Sequence, residues 1–148
     1  MIINEENLTV HFRKEGVKLD LGGIAKGYIA EKLSELMKEK GATNFIINLG
    51  GDVKVCGNKT FHIGIQEPDK STGTYKQVVD VKNQSVVTSG SYERNFVKEG
   101  KLYHHIIDPR TGYPAEIRNR SVTVICENCA YADAFCTAFF INPELPLN

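Results

Sequence analysis

A chain of 148 residues, 41% hydrophobic and 24% charged, has room for one domain with a real core and the composition of an ordinary globular protein. Eighteen Lys and Arg balance eighteen Asp and Glu with no basic cluster, which argues against a nucleic-acid footprint or a polybasic membrane patch. No apolar run approaches the ~20 residues of a membrane helix. The stretch from Met1 to Glu6 has neither the basic start nor the apolar core of a signal peptide, so the chain reads as soluble.

In chain order, residues 8–12 and 17–19 alternate in polarity around Lys14-Glu15-Gly16 and predict a hairpin. Asp20-Leu21-Gly22-Gly23 then runs into a helix over 24–40, where Ala25, Ile29, Leu33, Leu36 and Met37 recur at helical spacing. Lys38 and Lys40 in the last turn, with Gly41 after it, supply the stop. An apolar strand, Phe45–Leu49, leads into Gly50-Gly51-Asp52. Further strands are predicted at 53–56, 61–66, 76–82, 85–88, 92–98 and 101–107, the last two joined by Lys98-Glu99-Gly100-Lys101. Asp108-Pro109-Arg110-Thr111-Gly112 is a turn by composition. A strand at 121–126 leads to a final helix at 129–141, closed by Asn142-Pro143. Two helices among many short sequential strands predict an α+β fold, an antiparallel-rich sheet with packed helices, in a single domain over 1–148.

The four cysteines lie at 56, 126, 129 and 136, and Cys126 and Cys129 have the CxxC spacing of a zinc or redox half-site. A structural zinc site wants a second pair or two histidines at helical spacing, and neither is present, so buried or incidental thiols are the better reading.

Three segments look chemical. At the mouth of the first helix, Gly22-Gly23-Ile24-Ala25-Lys26-Gly27 would let a ligand approach free backbone N–H groups, a setting that favours an anion such as phosphate. Lys26 sits in the first turn, where the helix dipole disfavours a cation, which suggests that it serves a ligand; a plain strand-to-helix turn is the bland alternative. The final helix is apolar nearly all round and so expected to be buried; Asp133 and Thr137, its strongly polar side chains, are four residues apart on one face. A carboxylate with a hydroxyl suits Mg²⁺. The alternative is an ion pair for Asp133 and a bond from Thr137 back to its own helix. In the third segment, only one of His104 and His105 can face a site if both lie on a strand, and either is a candidate proton acceptor or a surface histidine.

Five runs in order carry a resemblance. Asp20-Leu21-Gly22-Gly23-Ile24-Ala25-Lys26-Gly27-Tyr28, Asn48-Leu49-Gly50-Gly51-Asp52 and Ser89-Gly90-Ser91-Tyr92-Glu93-Arg94 come first. The run from His104 to Pro114 follows, then Ser121-Val122-Thr123-Val124 with Ala132-Asp133-Ala134 and Thr137. Together they resemble the motifs of the ApbE family, the FAD:protein FMN transferases, whose members move FMN from FAD onto a Thr or Ser of a target flavoprotein and release AMP.

The resemblance implies an ApbE-like, T-fold-related core and a Mg²⁺ ion held by the Ala25 carbonyl oxygen, the Asp133 carboxylate and the Thr137 hydroxyl. It implies that His105 is the base toward the acceptor hydroxyl, or helps to hold the flavin. Gly22, Gly23 and Lys26 would cradle phosphates, and Ser89, Gly90 and Arg94 would lie along the flavin or its ribityl chain. For Asp52 and Asp108 a capping or turn-forming role is at least as well supported as ligand contact. Family members are typically exported and lipid-anchored, whereas this chain shows no lipobox. They are also longer, and only 19 residues precede Asp20 here, so a core without the N-terminal family part is expected. Mg²⁺-dependent FAD hydrolysis to FMN and AMP, and a non-catalytic flavin-binding module, are the alternative functions.

Overall fold

The computed structural model describes residues 1–146 except 69, 72 and 93; Glu93 of the SGSYER run therefore lies outside the described residues. β1 (Ile2–Asn4) and β2 (Thr9–His11) form the first hairpin. It lies closer to the N-terminus than the expected pair at 8–12 and 17–19. The reason is local: the Asn4 side chain accepts from the Glu6 and Asn7 amides, and Leu8 adopts a left-handed φ of 54°, so the chain reverses there. Residues 17–21 form no regular element.

α1 (Ala25–Glu39) ends as its sequence requires. Gly41 takes φ +89°, and the Ala42 amide reaches back to the Met37 carbonyl at 3.0 Å. Its buried face is not the Ile29, Leu33 and Leu36 stripe, which is exposed, but Gly27, Ala30 and Ser34. Small residues win that face because α1 lies close against a second helix. An ideal Cβ on Gly27 would sit 2.7 Å from the Asp133 Cβ, and nearer still to the Cys129 carbonyl oxygen.

β3 (Phe45–Leu49) and β4 (Asp52–Cys56) are joined by Gly50 and Gly51, both at positive φ (64° and 103°), as a tight two-residue hairpin turn demands. β5 (Phe61–Gln66) pairs with β6 (Tyr75–Val81). β7 (Ser85–Gly90) runs two residues past the expected end at 88, because β12 continues to pair with it as far as Gly90. β8 (Asn95–Lys98) and β9 (Lys101–His104) form a hairpin shorter than the strands read at 92–98 and 101–107. β10 (Ile107–Asp108) and β11 (Tyr113–Pro114) flank the 108–112 turn, where the Gly112 amide bonds the Asp108 carbonyl at 2.8 Å. β12 (Ser121–Cys126) is followed by α2 (Cys129–Ile141), capped by the Asn128 side chain on the Tyr131 amide.

The central sheet has the order β12-β7-β4-β3 and is antiparallel throughout, so the α+β, antiparallel-rich reading holds. α1 and α2 cover one face around Ala30, Ile47, Val87, Cys129, Ala132 and Cys136. The β5–β6 hairpin covers the other around Val53, Val55, Val81 and Val86. β4, lying between the two layers, is buried at all five positions, including Asp52 and Lys54. α2 is buried on one side only: Tyr131 and Phe135 stay exposed, contrary to a helix buried all round. Among the described residues no helix is long and apolar enough to cross a membrane.

Lys54 takes its place on the helix-covered face through a network not visible in the primary sequence. Its ammonium pairs with Glu31 of α1 at 3.1 Å and donates to the Glu127 carbonyl. The same Glu31 oxygen accepts from the Cys129 amide at 2.8 Å. One carboxylate thus ties α1, β4 and the N-terminus of α2, where a negative charge is favoured.

Candidate functional site

One cleft of about 750 Å³ collects residues that are far apart in the chain. The loop before α1 and its first turn supply Asp20, Gly22, Gly23, Ala25 and Lys26, and the end of β7 supplies Thr88 and Ser89. Arg94 and the segment from His105 to Ile107 form another wall, α2 adds Asp133 and Thr137, and Gly50 completes the lining. β7 brings these parts together: it lies between β12 and β4, and α2 packs across it. Asp20, Gly50, Thr88, Ile106 and Ile107 were not singled out as ligand-binding from the sequence. Gly90 does not line the cleft; it closes β7, and any side chain there would strike the Tyr92 ring.

The mouth of α1 is less open than its glycines suggest. The Gly22 amide donates to Asp20 Oδ1 (2.8 Å), that of Ala25 to the Leu21 carbonyl (2.8 Å) and that of Gly27 to Asp133 Oδ2 (2.9 Å). The helix has no cap of its own, and the Asp133 carboxylate of α2 acts as one. The expected row of free N–H groups is therefore partly used within the fold.

Asp133 is 3% exposed, and no Lys, Arg or His pairs with it among the described residues, so the ion-pair alternative does not hold. The Thr137 hydroxyl partners Ser89 Oγ at 3.3 Å rather than its own helix, and it faces Gly23, whose ideal Cβ would lie 4.0 Å from Thr137 Oγ1. Asp52, 1% exposed and not itself in the cleft lining, lies beside Asp133. Its Oδ1 accepts from the half-exposed Lys26 ammonium at 3.0 Å, while Oδ2 is buried without a hydrogen-bond partner. Burial, partly offset by the bond from Lys26 and reinforced by the charge of Asp133, pushes the Asp52 carboxyl up to about 6. Two buried carboxylates, one of them paired with Lys26, leave an orphaned oxygen next to a hydroxyl, an oxygen-rich setting that suits a hard divalent cation. The residues present fit Mg²⁺.

The histidines separate cleanly. His104 is buried: Nε2 donates to the Ala115 carbonyl at 2.9 Å, Nδ1 accepts from the Ile106 amide at 3.3 Å, and the ring meets Phe140 edge-on. Both nitrogens are used, and the role is structural. His105 is exposed on the cleft wall with Nδ1 3.2 Å from the Arg94 carbonyl. A carbonyl can only accept, so Nδ1 carries the proton and Nε2 is left as the acceptor, the tautomer a general base needs. Asp108 is not part of this cleft. Its carboxylate is clasped by the Arg110 guanidinium at 2.7 and 3.1 Å, which holds it below the usual range and braces the turn.

The CxxC pair spans the turn from β12 into α2 with both thiols free. Burial pushes the Cys129 thiol up to about 11, the opposite of a reactive thiolate, and Cys136 likewise. A second cavity of about 850 Å³ lies between the β8–β9 hairpin and residues 108–118; His104 and Asp108 line it, but none of the residues of the first cleft does.

Comparison with known proteins points the same way. The ApbE family model matches residues 1–145. A Klebsiella pneumoniae protein named FAD:protein FMN transferase is 40% identical over 140 residues, covering 95% of this chain and 44% of that protein. One of the same name from Treponema pallidum is 38% identical, covering 90% of this chain and 40% of its own length. Among solved structures, the ApbE protein of Thermotoga maritima superimposes with a TM-score of 0.85 at 39% identity, over 95% of this chain and 46% of that one. The flavin transferase ApbE of Vibrio cholerae gives 0.69 at 29% identity, over 83% and 40%. The chain thus spans less than half the length of the relatives it matches. With its motifs gathered around one cleft, its fold shared with ApbE structures and its family model matched almost end to end, the chain belongs to the ApbE family.

Proposed function

We propose that this cleft transfers FMN from FAD to a Thr or Ser hydroxyl of a target flavoprotein, with AMP released. The observation that supports it most is the meeting, in one cleft, of the buried Asp133 carboxylate, the half-buried Thr137 hydroxyl, the Lys26 cation and the exposed His105. Asp133, Thr137 and the Ala25 carbonyl oxygen would hold Mg²⁺, which when bound would offset charge on the phosphoryl oxygens. Lys26 lies where a phosphate entering along Gly22 and Gly23 would meet a positive charge, kept in place by Asp52. Ser89 and Arg94 line the space left for the rest of the flavin nucleotide. His105, fixed through Nδ1, would take the proton from the acceptor hydroxyl at Nε2. That oxygen then bonds to the FMN phosphorus as the phosphoanhydride bond to AMP breaks.

One observation favours a second reading. His105 is exposed, so water can reach the same base, and FAD hydrolysis to FMN and AMP would need no acceptor. AMP release from FAD and Mg²⁺, measured with and without an acceptor flavoprotein, separates the two. Release that depends on the acceptor supports transfer, and equal release in its absence makes the cleft a pyrophosphatase.

A further inference from the structure

We propose that Asp52 is a working member of the cation site, its buried carboxylate supplying, with Asp133, the second negative charge that holds the divalent ion. The proposal rests on the reading of Asp133 and Thr137 as metal ligands. In sequence, Asp52 ends the Asn48-Leu49-Gly50-Gly51-Asp52 run, where a capping or turn-forming role is at least as well supported as ligand contact. The turn does not need it. Gly50 and Gly51 supply both positive φ values, and the Asn48 side chain accepts from the Gly51 amide at 2.9 Å. Strand register then places Asp52 opposite Leu49, on the face of β4 that the helices cover.

The comparison with Lys54, two residues along the same strand, is instructive. Lys54 is also buried, but its charge is matched by Glu31 and its remaining capacity by the Glu127 carbonyl. Asp52 has Lys26 on Oδ1 and no donor on Oδ2, and its carboxyl lies within side-chain hydrogen-bond reach of the Asp133 carboxyl. A buried anionic oxygen without a partner is one of the more expensive groups a fold can retain, and a second buried carboxylate nearby adds repulsion. Both costs disappear when a cation sits with the two carboxylates. The arrangement gives Asp52 two tasks: Oδ1 anchors Lys26 for the phosphate, and Oδ2 adds to the field that binds the ion.

Manganese affinity of the 148-residue chain, read by electron paramagnetic resonance with the metal alone, tests this without any turnover. Asp52→Asn should weaken binding at least tenfold, with Asp52→Ser as a second form should the amide fail to fold, and Lys26→Gln should bind as tightly as wild type or tighter. Unchanged affinity in the Asp52 variants, with binding lost in Asp133→Asn, overturns the proposal and leaves the Asp133 and Thr137 site standing. A loss in Lys26→Gln equal to that in Asp52→Asn also overturns it, since the carboxylate would then act only through the lysine. Unchanged affinity in Asp133→Asn as well removes the metal reading itself.

Discussion

Replacing Gly27 by alanine sets two physical effects against each other. Helix propensity alone favours the change by up to about 1 kcal/mol. Packing opposes it: the new Cβ would lie 2.7 Å from the Asp133 Cβ and closer still to the Cys129 carbonyl oxygen. Unbonded carbons rest at ~3.5–4.0 Å, so α1 and α2 must part by about 1 Å. Overpacking of this kind costs ~1–3 kcal/mol, and the upper end applies because the neighbours are helix backbone and a Cβ rather than the tip of a flexible side chain. The net expectation is about 2 kcal/mol of destabilisation, or a melting temperature lowered by about 4–8 °C for a chain of this size. Thermal unfolding followed by far-ultraviolet circular dichroism measures it. A Gly27→Ala chain that melts at or above the wild-type temperature would refute the close helix contact, and with it the placement of Asp133 on the Gly27 amide.

Other expectations follow from single contacts. Lys54→Met leaves the Glu31 carboxylate without its buried partner and should cost about 3 kcal/mol in urea unfolding, most of it recovered in the Lys54→Met, Glu31→Gln double variant; a neutral single variant contradicts the network. His105→Ala should slow AMP release by ~10²-fold or more while FAD affinity changes little, as expected for a base rather than a binding group, and the reverse pattern would make it a binding residue. Cys129 and Cys136, with thiols pushed up to about 11, should resist iodoacetamide at pH 8 in the native chain, and mass spectrometry showing either one labelled would contradict their burial.

The features legible in the sequence were those set by local rules. Helical spacing and Gly41 marked α1, strands were read on either side of Gly50-Gly51, and Asp108 to Gly112 marked a turn. The contiguous motifs also converge on one cleft: Gly22, Gly23, Ala25, Lys26, Ser89, Arg94, His105, Asp133 and Thr137 all line it. What stayed hidden depends on contacts distant in the chain. The N-terminal hairpin was misplaced because alternation at 8–12 looked stronger than the Asn4 side-chain turn that reverses the chain earlier. The core face of α1 was misjudged because apolar spacing cannot show that a neighbouring helix needs Gly27, Ala30 and Ser34 there. The choice for Asp52 between a turn or cap and ligand contact stayed open, because its burial arises from the pairing of β3 with β4 under the helices and its contact with Lys26 crosses 26 residues. Gly90, expected along the flavin or its ribityl chain, lies outside the cleft lining, where a Cβ would meet the Tyr92 ring.

The most direct test of the cleft as a flavin-transfer site is a titration of the purified chain with FAD, with and without Mg²⁺, beside its Asp133→Ala variant. Flavin fluorescence and AMP release are followed together. Magnesium-dependent binding with AMP produced by the wild type, and neither in the variant, is the expected result. Binding and AMP release that are indifferent to Mg²⁺ and to the loss of Asp133 would contradict it.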